Sequence, residues 1–341
     1  MFERDTLVQS GEVVENVYRQ GQRQRGPKIV AIGGGHGLNT LLRGLKEHTD
    51  NITAIVTVAD DGGSSGKLRR DLGMLPPGDF RNCLAALSES EGLVSQLFQY
   101  RFGEGTELEG HSFGNLYLTA MTAITGSFEL ALEESSRVLA VRGRVIPSTL
   151  AQVTLCAERT PSAESAPGRI ERVCGESSIG LAGSHIERVY LDPEDPPAYP
   201  AAIHAILDSD LVTIGPGSLY TSVLPNLLVP DLARAIETAQ ARKVYVCNVA
   251  TQKGETEGYD VPDYVEVLHQ HVGTSLFHLV LANHTYLEKP RLALGVDWVR
   301  LPEPGQPMDC ELVAQDLVDR QYPWRHDPYK LAAVLIELLN V

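Results

Sequence analysis

Two adjacent carboxylates, Asp60 and Asp61, end an apolar run and open the string DDGGSSGKL. Carboxylates side by side at a strand end suit a divalent ion such as magnesium, bound through one or two oxygens with room left for water and a phosphate. One of them could equally serve as a general base toward a hydroxyl. The plain alternative is a loop that caps itself through Asx turns. Gly62, Gly63, Ser64 and Ser65 complete the candidate loop. The GK pair at 66–67 does not make a P-loop. That pattern needs glycine where Asp61 stands and a hydroxyl where Leu68 stands.

A second set of residues suits an anion. GGGHGLN places Gly33, Gly34, Gly35, His36 and Gly37 between an apolar run and a helical pattern. Glycines there let backbone N–H groups approach a phosphate at a helix N-terminus. The dinucleotide fingerprint GxGxxG is not met, because Leu38 stands where its last glycine belongs. IGPGSLYT repeats the strand-glycine-helix arrangement: Gly215 and Gly217 precede Ser218, a natural N-cap, with Tyr220 and Thr221 in the first turn. Asn248 and Gln252 follow another strand end in NVATQKGE. Further candidates are Arg81 and Asn82 in PPGDFRN, His111 and Asn115 in GHSFGNL, and Arg325 in WRHDP, where an arginine could clamp a diphosphate. His269 and His271 share a helix but not a face, so no zinc site is assigned.

These strings need strands and helices to hold them. KIVAI (28–32) and ITAIVTV (52–58) read as buried strands around a helical pattern from Leu38. Strand, glycine turn, helix and strand within that span is a βαβ unit, which predicts a parallel sheet with a right-handed crossover. Helices are expected near 79–90, with Asp79 as N-cap, at 93–102, and twice between 116 and 141. Short β-rich pieces broken by TPSAESAPG and GLAGS read as an inserted antiparallel segment. The α/β rhythm then resumes through LVTI, KVYVCNV and FHLVLAN to a closing helix. The expected organisation is a polar extension at 1–27, a first α/β half at 28–146, a β-rich insertion at 147–192, and the second half of the same core at 193–341. The fold class is α/β: a Rossmann-like, mainly parallel sheet flanked by helices.

Composition narrows the function. With 29 basic and 44 acidic residues the net charge is −15, which argues against nucleic acid or an anionic membrane as partner but not against a small anion in a basic pocket. No apolar run is long enough to span a membrane, and the N-terminal residues lack a secretory h-region. The five cysteines form no CxxC pair and are odd in number. The expectation is reduced thiols and a cytosolic protein.

GGGHGL, TVADDGGSSG, PPGDFRN, GHSFGNL, VRGRVIP, GPGSLYTSVLPNLL, NVATQKGET and RHD, in that order, resemble the bacterial gluconeogenesis-factor (YvcK-like) branch of the CofD-like (UPF0052) family. The resemblance runs from about Lys28 to the end, and no counterpart is assigned to 1–27 or 157–169. It implies a Rossmann-like core, a homodimer, and binding of UDP-sugars such as UDP-N-acetylglucosamine. It further implies a role in gluconeogenic growth, cell shape and cell-wall precursor supply. Another branch, similar to 2-phospho-L-lactate transferase, moves a phospholactyl group from a guanosine diphosphate carrier to a deazaflavin alcohol. That implies the alternative of a magnesium-dependent transferase using Asp60 or Asp61. An NAD-binding oxidoreductase is a weaker reading, because the last fingerprint glycine is missing.

Overall fold

The computed structural model describes residues 21–89, 92–161, 170–180, 184–273, 276–287 and 296–339. The expected polar extension lies largely outside these residues, as do TPSAESAPG from Ser162 onward and most of GLAGS. Residues 22–27 are docked: Asn51 Nδ2 donates to the Gly26 carbonyl at 2.7 Å, and the Asp50 N–H donates to the Arg23 carbonyl at 3.1 Å.

The frame is a seven-stranded sheet. Its strands are β1 (Ile29–Gly33), β2 (Ile52–Val56), β3 (Arg144–Pro147), β7 (Leu211–Ile214), β8 (Arg242–Val246), β9 (Leu279–Asn283) and β10 (Glu311–Gln315). The order is β10-β9-β8-β7-β1-β2-β3, and every pairing is parallel. Strands buried on both faces read as unbroken apolar runs: IVAIG and LVTI are buried at every position. From β1 the chain builds outward through β2 to β3, then returns to lay β7 on the other side of β1. The strand order therefore reverses between β1 and β7, and in open α/β sheets ligands sit in the crevice outside the carboxyl ends at such a point.

The insertion is a separate antiparallel sheet, β5-β4-β6, built from β4 (Thr154–Pro161), β5 (Glu171–Cys174) and β6 (Ser184–Asp192). It meets the expected β-rich segment. The cysteines do not meet the expectation of reduced thiols: Cys156 and Cys174 form a disulfide. The antiparallel register sets them directly opposite each other, with Cα atoms 4.0 Å apart, a pairing that a separation of 18 residues does not announce. Cys83 and Cys247 are buried free thiols, and Cys310 is half-buried. The disulfide removes one support for the cytosolic expectation. Among the described residues no helix is long and apolar enough to cross a membrane.

Three local expectations are corrected. The helix after β1, α1 (Gly35–Leu45), begins inside the glycine string, so Gly35, His36 and Gly37 form its first turn and not a loop. Gly63–Leu72 is also a helix, α2, which the polar string GSSGKLRRDL hid. Asp79 does not cap the helix α3 (Gly78–Leu87), whose N-cap is Pro77; its side chain reaches the end of α1 instead.

Candidate functional site

Two glycine turns meet at the strand-order reversal. After β1, Gly34 is extended and α1 starts at Gly35, whose φ of +62° suits glycine. After β7, Gly215 turns the chain at φ +77°, and Ser218 caps the next helical turn, a π-helical stretch Leu219–Val223, by accepting from the Thr221 N–H at 3.3 Å. The turns touch backbone to backbone: a Cβ on Gly37 would lie 2.5 Å from the Pro216 oxygen. Asn226 Nδ2 ties them by donating to the Gly33 carbonyl at 3.1 Å and to the Ser222 carbonyl at 2.8 Å.

Over these turns opens a cleft of about 560 Å³. Of the residues singled out in the sequence, it is lined by Gly34, Gly35, His36, Gly37, Gly217, Ser218, Thr221, Asn248, Gln252 and Arg325. Asn248 Oδ1 accepts from the Gly217 N–H at 3.4 Å, so the loop after β8 braces the turn after β7. Four titratable lining residues are absent from the sequence candidates: Glu176, Glu255, Lys253 and His326. Glu255 and Lys253 sit inside NVATQKGE and His326 beside Arg325, so their strings were noticed while the residues were not. Glu176 comes from the insertion, in the short helix α7 (Glu176–Ile179), and nothing in RVCGESS signals a site.

The lining carries charge of both signs. Arg325, Lys253 and the N-terminal turn of α1 supply the positive groups. Desolvation and the positive charges of Arg325, Arg43 and Arg81 push His36 below its usual pKa, so it sits neutral in a positive field that favours an anion. Burial pushes His326 down to about 4. Among the acidic lining residues, burial pushes Glu255 up while its hydrogen bond from the Ser218 hydroxyl opposes the shift. Burial, reinforced by Asp60, Asp79, Asp61 and Glu255, pushes Glu176 well above the carboxylate range. Three buried polar atoms of lining residues have no hydrogen-bond partner: Glu176 Oε2, Gln252 Oε1 and His326 Nε2. Such groups are costly unless something satisfies them.

The DDGGSSG loop is placed differently. Asp60 Oδ1 accepts from the Gly62 N–H at 2.8 Å, and burial pushes its pKa up. Asp61 Oδ1 accepts from the Ser177 N–H at 3.0 Å, holding α7. Ser64 Oγ lies 2.9 Å from His111 Nδ1 and accepts from Asn115 Nδ2 at 3.0 Å, so GHSFGNL packs on this loop and not on the cleft. Gly62, Gly63 and Ser65 are likewise off the cleft lining. Arg81 is buried beside them; its Nη2 donates to Asn82 Oδ1 at 2.8 Å, and desolvation lowers its pKa to about 10. Tyr220 lies in the core with its hydroxyl 2.8 Å from that of Tyr259, away from the cleft lining. Asp79 Oδ2 accepts from the Gly35 N–H at 2.8 Å, linking the two loops, and burial pushes it up to about 6.

One oxygen of Asp60 and one of Asp61 accept from backbone amides, so a magnesium ion there would bind beside these contacts and be completed by water and a ligand phosphate. Among the described residues no group of three His, Cys, Asp or Glu is set to hold a metal ion by itself.

A parallel sheet with glycine turns meeting under a cleft at its order reversal defines an open α/β protein with a cleft at the topological switch point. Residues 29–332 match the family described as 2-phospho-L-lactate transferase CofD, and the chain belongs to that family. It is 48% identical over 322 residues to the gluconeogenesis factor of Bacillus subtilis, covering 92% of this chain and 98% of that protein. It is 52% identical over 255 residues to the gluconeogenesis factor of Halalkalibacterium halodurans, covering 75% and 77%. Among solved structures, a UPF0052-family protein of Bacillus halodurans superposes with a TM-score of 0.82 at 43% identity, covering 91% of this chain and 99% of that one.

Proposed function

We propose that the protein binds a nucleoside-diphosphate-linked sugar of the UDP-N-acetylglucosamine kind in the cleft and acts as a regulator of gluconeogenic growth, cell shape and cell-wall precursor supply. The observation that carries the reading is the meeting of two helix-starting glycine turns under one cleft with Arg325 and Lys253 on its wall. Backbone amides at such turns suit a diphosphate, and an arginine adds charge-assisted hydrogen bonds. Asn248 and Gln252 supply amide groups that suit a uracil or a sugar. The relatives' description as gluconeogenesis factors supports the physiological half. The reading includes a cytosolic homodimer.

A transferase is the second reading, favoured by the family's description and by a carboxyl, Glu176, facing the cleft with one oxygen unpartnered. Calorimetry with UDP, UDP-N-acetylglucosamine, GDP and NAD, each with and without magnesium, separates the readings. Saturable binding of UDP-N-acetylglucosamine without turnover supports the regulator. Slow breakdown of the bound nucleotide supports the transferase, and silence toward every UDP compound sinks the first reading.

A further inference from the structure

We propose that Glu176 and Glu255 form a selectivity wall that accepts an uncharged, hydroxyl-bearing glycosyl group and rejects one carrying a carboxylate; this rests on the nucleotide-sugar reading above. The cleft is lined by apolar and polar groups, and its charged residues are of both signs. The α1 turn, Arg325 and Lys253 suit the diphosphate, whereas Glu176 and Glu255 face the same space as carboxyls.

Glu176 is delivered by a tightly held turn. The Gly175 N–H donates to the Leu155 carbonyl at 2.8 Å, and Cys174 before it is tied by disulfide to Cys156. Asp61 grips the Ser177 N–H from one side. From the other, the loop after β8 packs so closely that a Cβ on Gly254 would lie 2.2 Å from the Gly180 oxygen. A Cβ on Gly175 would meet Asp61 Oδ2 at 2.2 Å, so the DDGG loop and the insertion are fitted to each other at this point. Glu176 Oε2 has no partner, while Glu255 is engaged by Ser218, the residue that caps the turn after β7. A sugar hydroxyl satisfies an unpartnered carboxyl oxygen whether that group is ionised or protonated. A ligand carboxylate set beside Glu176 would meet the same burial and the same field of Asp60, Asp61 and Glu255 that already disfavour a negative charge on Glu176, and its charge would be destabilised where screening is weak.

The test is titration of the full chain with UDP, UDP-glucose and UDP-glucuronate, which differ only at the glycosyl end. The wild type is expected to bind UDP-glucose at least about tenfold more tightly than UDP-glucuronate. Glu176→Ala is expected to lower affinity for UDP-glucose severalfold and leave UDP itself unchanged. Glu176→Gln, which keeps the hydrogen-bonding shape, is expected to restore UDP-glucose binding. Paired with Glu255→Gln, it should also narrow the preference against glucuronate. Equal affinity for the two sugars in the wild type, or an unchanged UDP-glucose affinity in Glu176→Ala, overturns the proposal while nucleotide binding stands. If UDP and both UDP-sugars fail to bind, the nucleotide-sugar reading falls and takes this one with it.

Discussion

The ends of β1 and β2 are neighbours in one parallel sheet, and both run into glycine-rich strings that start helices, yet they do opposite work. GGGHG opens outward onto the cleft, with three glycines and a histidine on its lining. DDGGSSG turns inward: Asp60 takes its own loop's amide, Asp61 takes an amide of the insertion, and Ser64 takes the Asn115 side chain. The difference follows from topology. β1 lies at the strand-order reversal, whereas β2 lies one strand further out toward the β3 edge, where Asp61 is held against the insertion. The string rich in carboxylates and hydroxyls spends these polar groups on its neighbours, and the plainer glycine string is the one that lines the cleft.

Substitutions that strike one loop and spare the other break this comparison most forcefully. Gly37→Ala drives a Cβ to 2.5 Å from the Pro216 oxygen, where only backbone could yield. It is expected to abolish nucleotide-sugar binding and to cost about 1–3 kcal/mol of stability, the usual range for overpacking. Gly63→Ala meets open space, although its φ of +45° disfavours a side chain. It should cost only about 1 kcal/mol and leave binding intact. Parallel thermal melts and titrations check the pair. Arg325→Ala comes next, with affinity for UDP-N-acetylglucosamine expected to fall at least about tenfold, as for loss of a hydrogen bond to a charged group. Its melting temperature without ligand should stay near the wild-type value, because Arg325 is exposed.

Asp61→Ala sharpens the contrast further. It frees the Ser177 amide and should cost about 1–2 kcal/mol, with a smaller change in UDP affinity than Arg325→Ala. A loss of UDP binding in Asp61→Ala as large as that in Arg325→Ala would return this aspartate to the ligand.

The smallest expected effect is on pH dependence, where two buried groups pull in opposite directions. His326 is held neutral, with its pKa lowered to about 4. Its contribution is present above the unfolded value near 6.5 and is lost as pH falls toward 4, at most ~3 kcal/mol. Asp79 is raised to about 6, so the fold holds a proton that the unfolded chain releases, and its contribution grows as pH falls through 6. In Asp79→Asn one opposing term is gone while those of Asp60, Glu176 and Glu255 stay, and urea denaturation between pH 7 and 4 should show a somewhat steeper loss than in the wild type.

The frame was open to reading because it rests on local patterns. IVAIG and LVTI are unbroken apolar runs, and the glycine turns after them are the two that meet under the cleft. What stayed hidden depends on contacts distant in the chain. Asp79 in PPGD looks like a cap until Gly35 is found beside it, 44 residues away. Glu176 sits in an insertion with no feature of a site, and Cys156 faces Cys174 only because β4 and β5 pair in one register. Tyr220 reads as a ligand contact by its place in a first turn, but its side chain points to the core and Tyr259. Helix α2 was concealed by glycine and serine, weak helix formers, and is held from outside by the Asn115 amide on Ser64.

Amide hydrogen exchange with and without UDP-N-acetylglucosamine tests the division of labour most directly, because it reports on both loops in one experiment. The account predicts slowed exchange at 34–37 and 217–221, with 62–66 unchanged. Protection confined to 62–66, with the two glycine turns unaffected, would contradict it and make the DDGG loop the binding site.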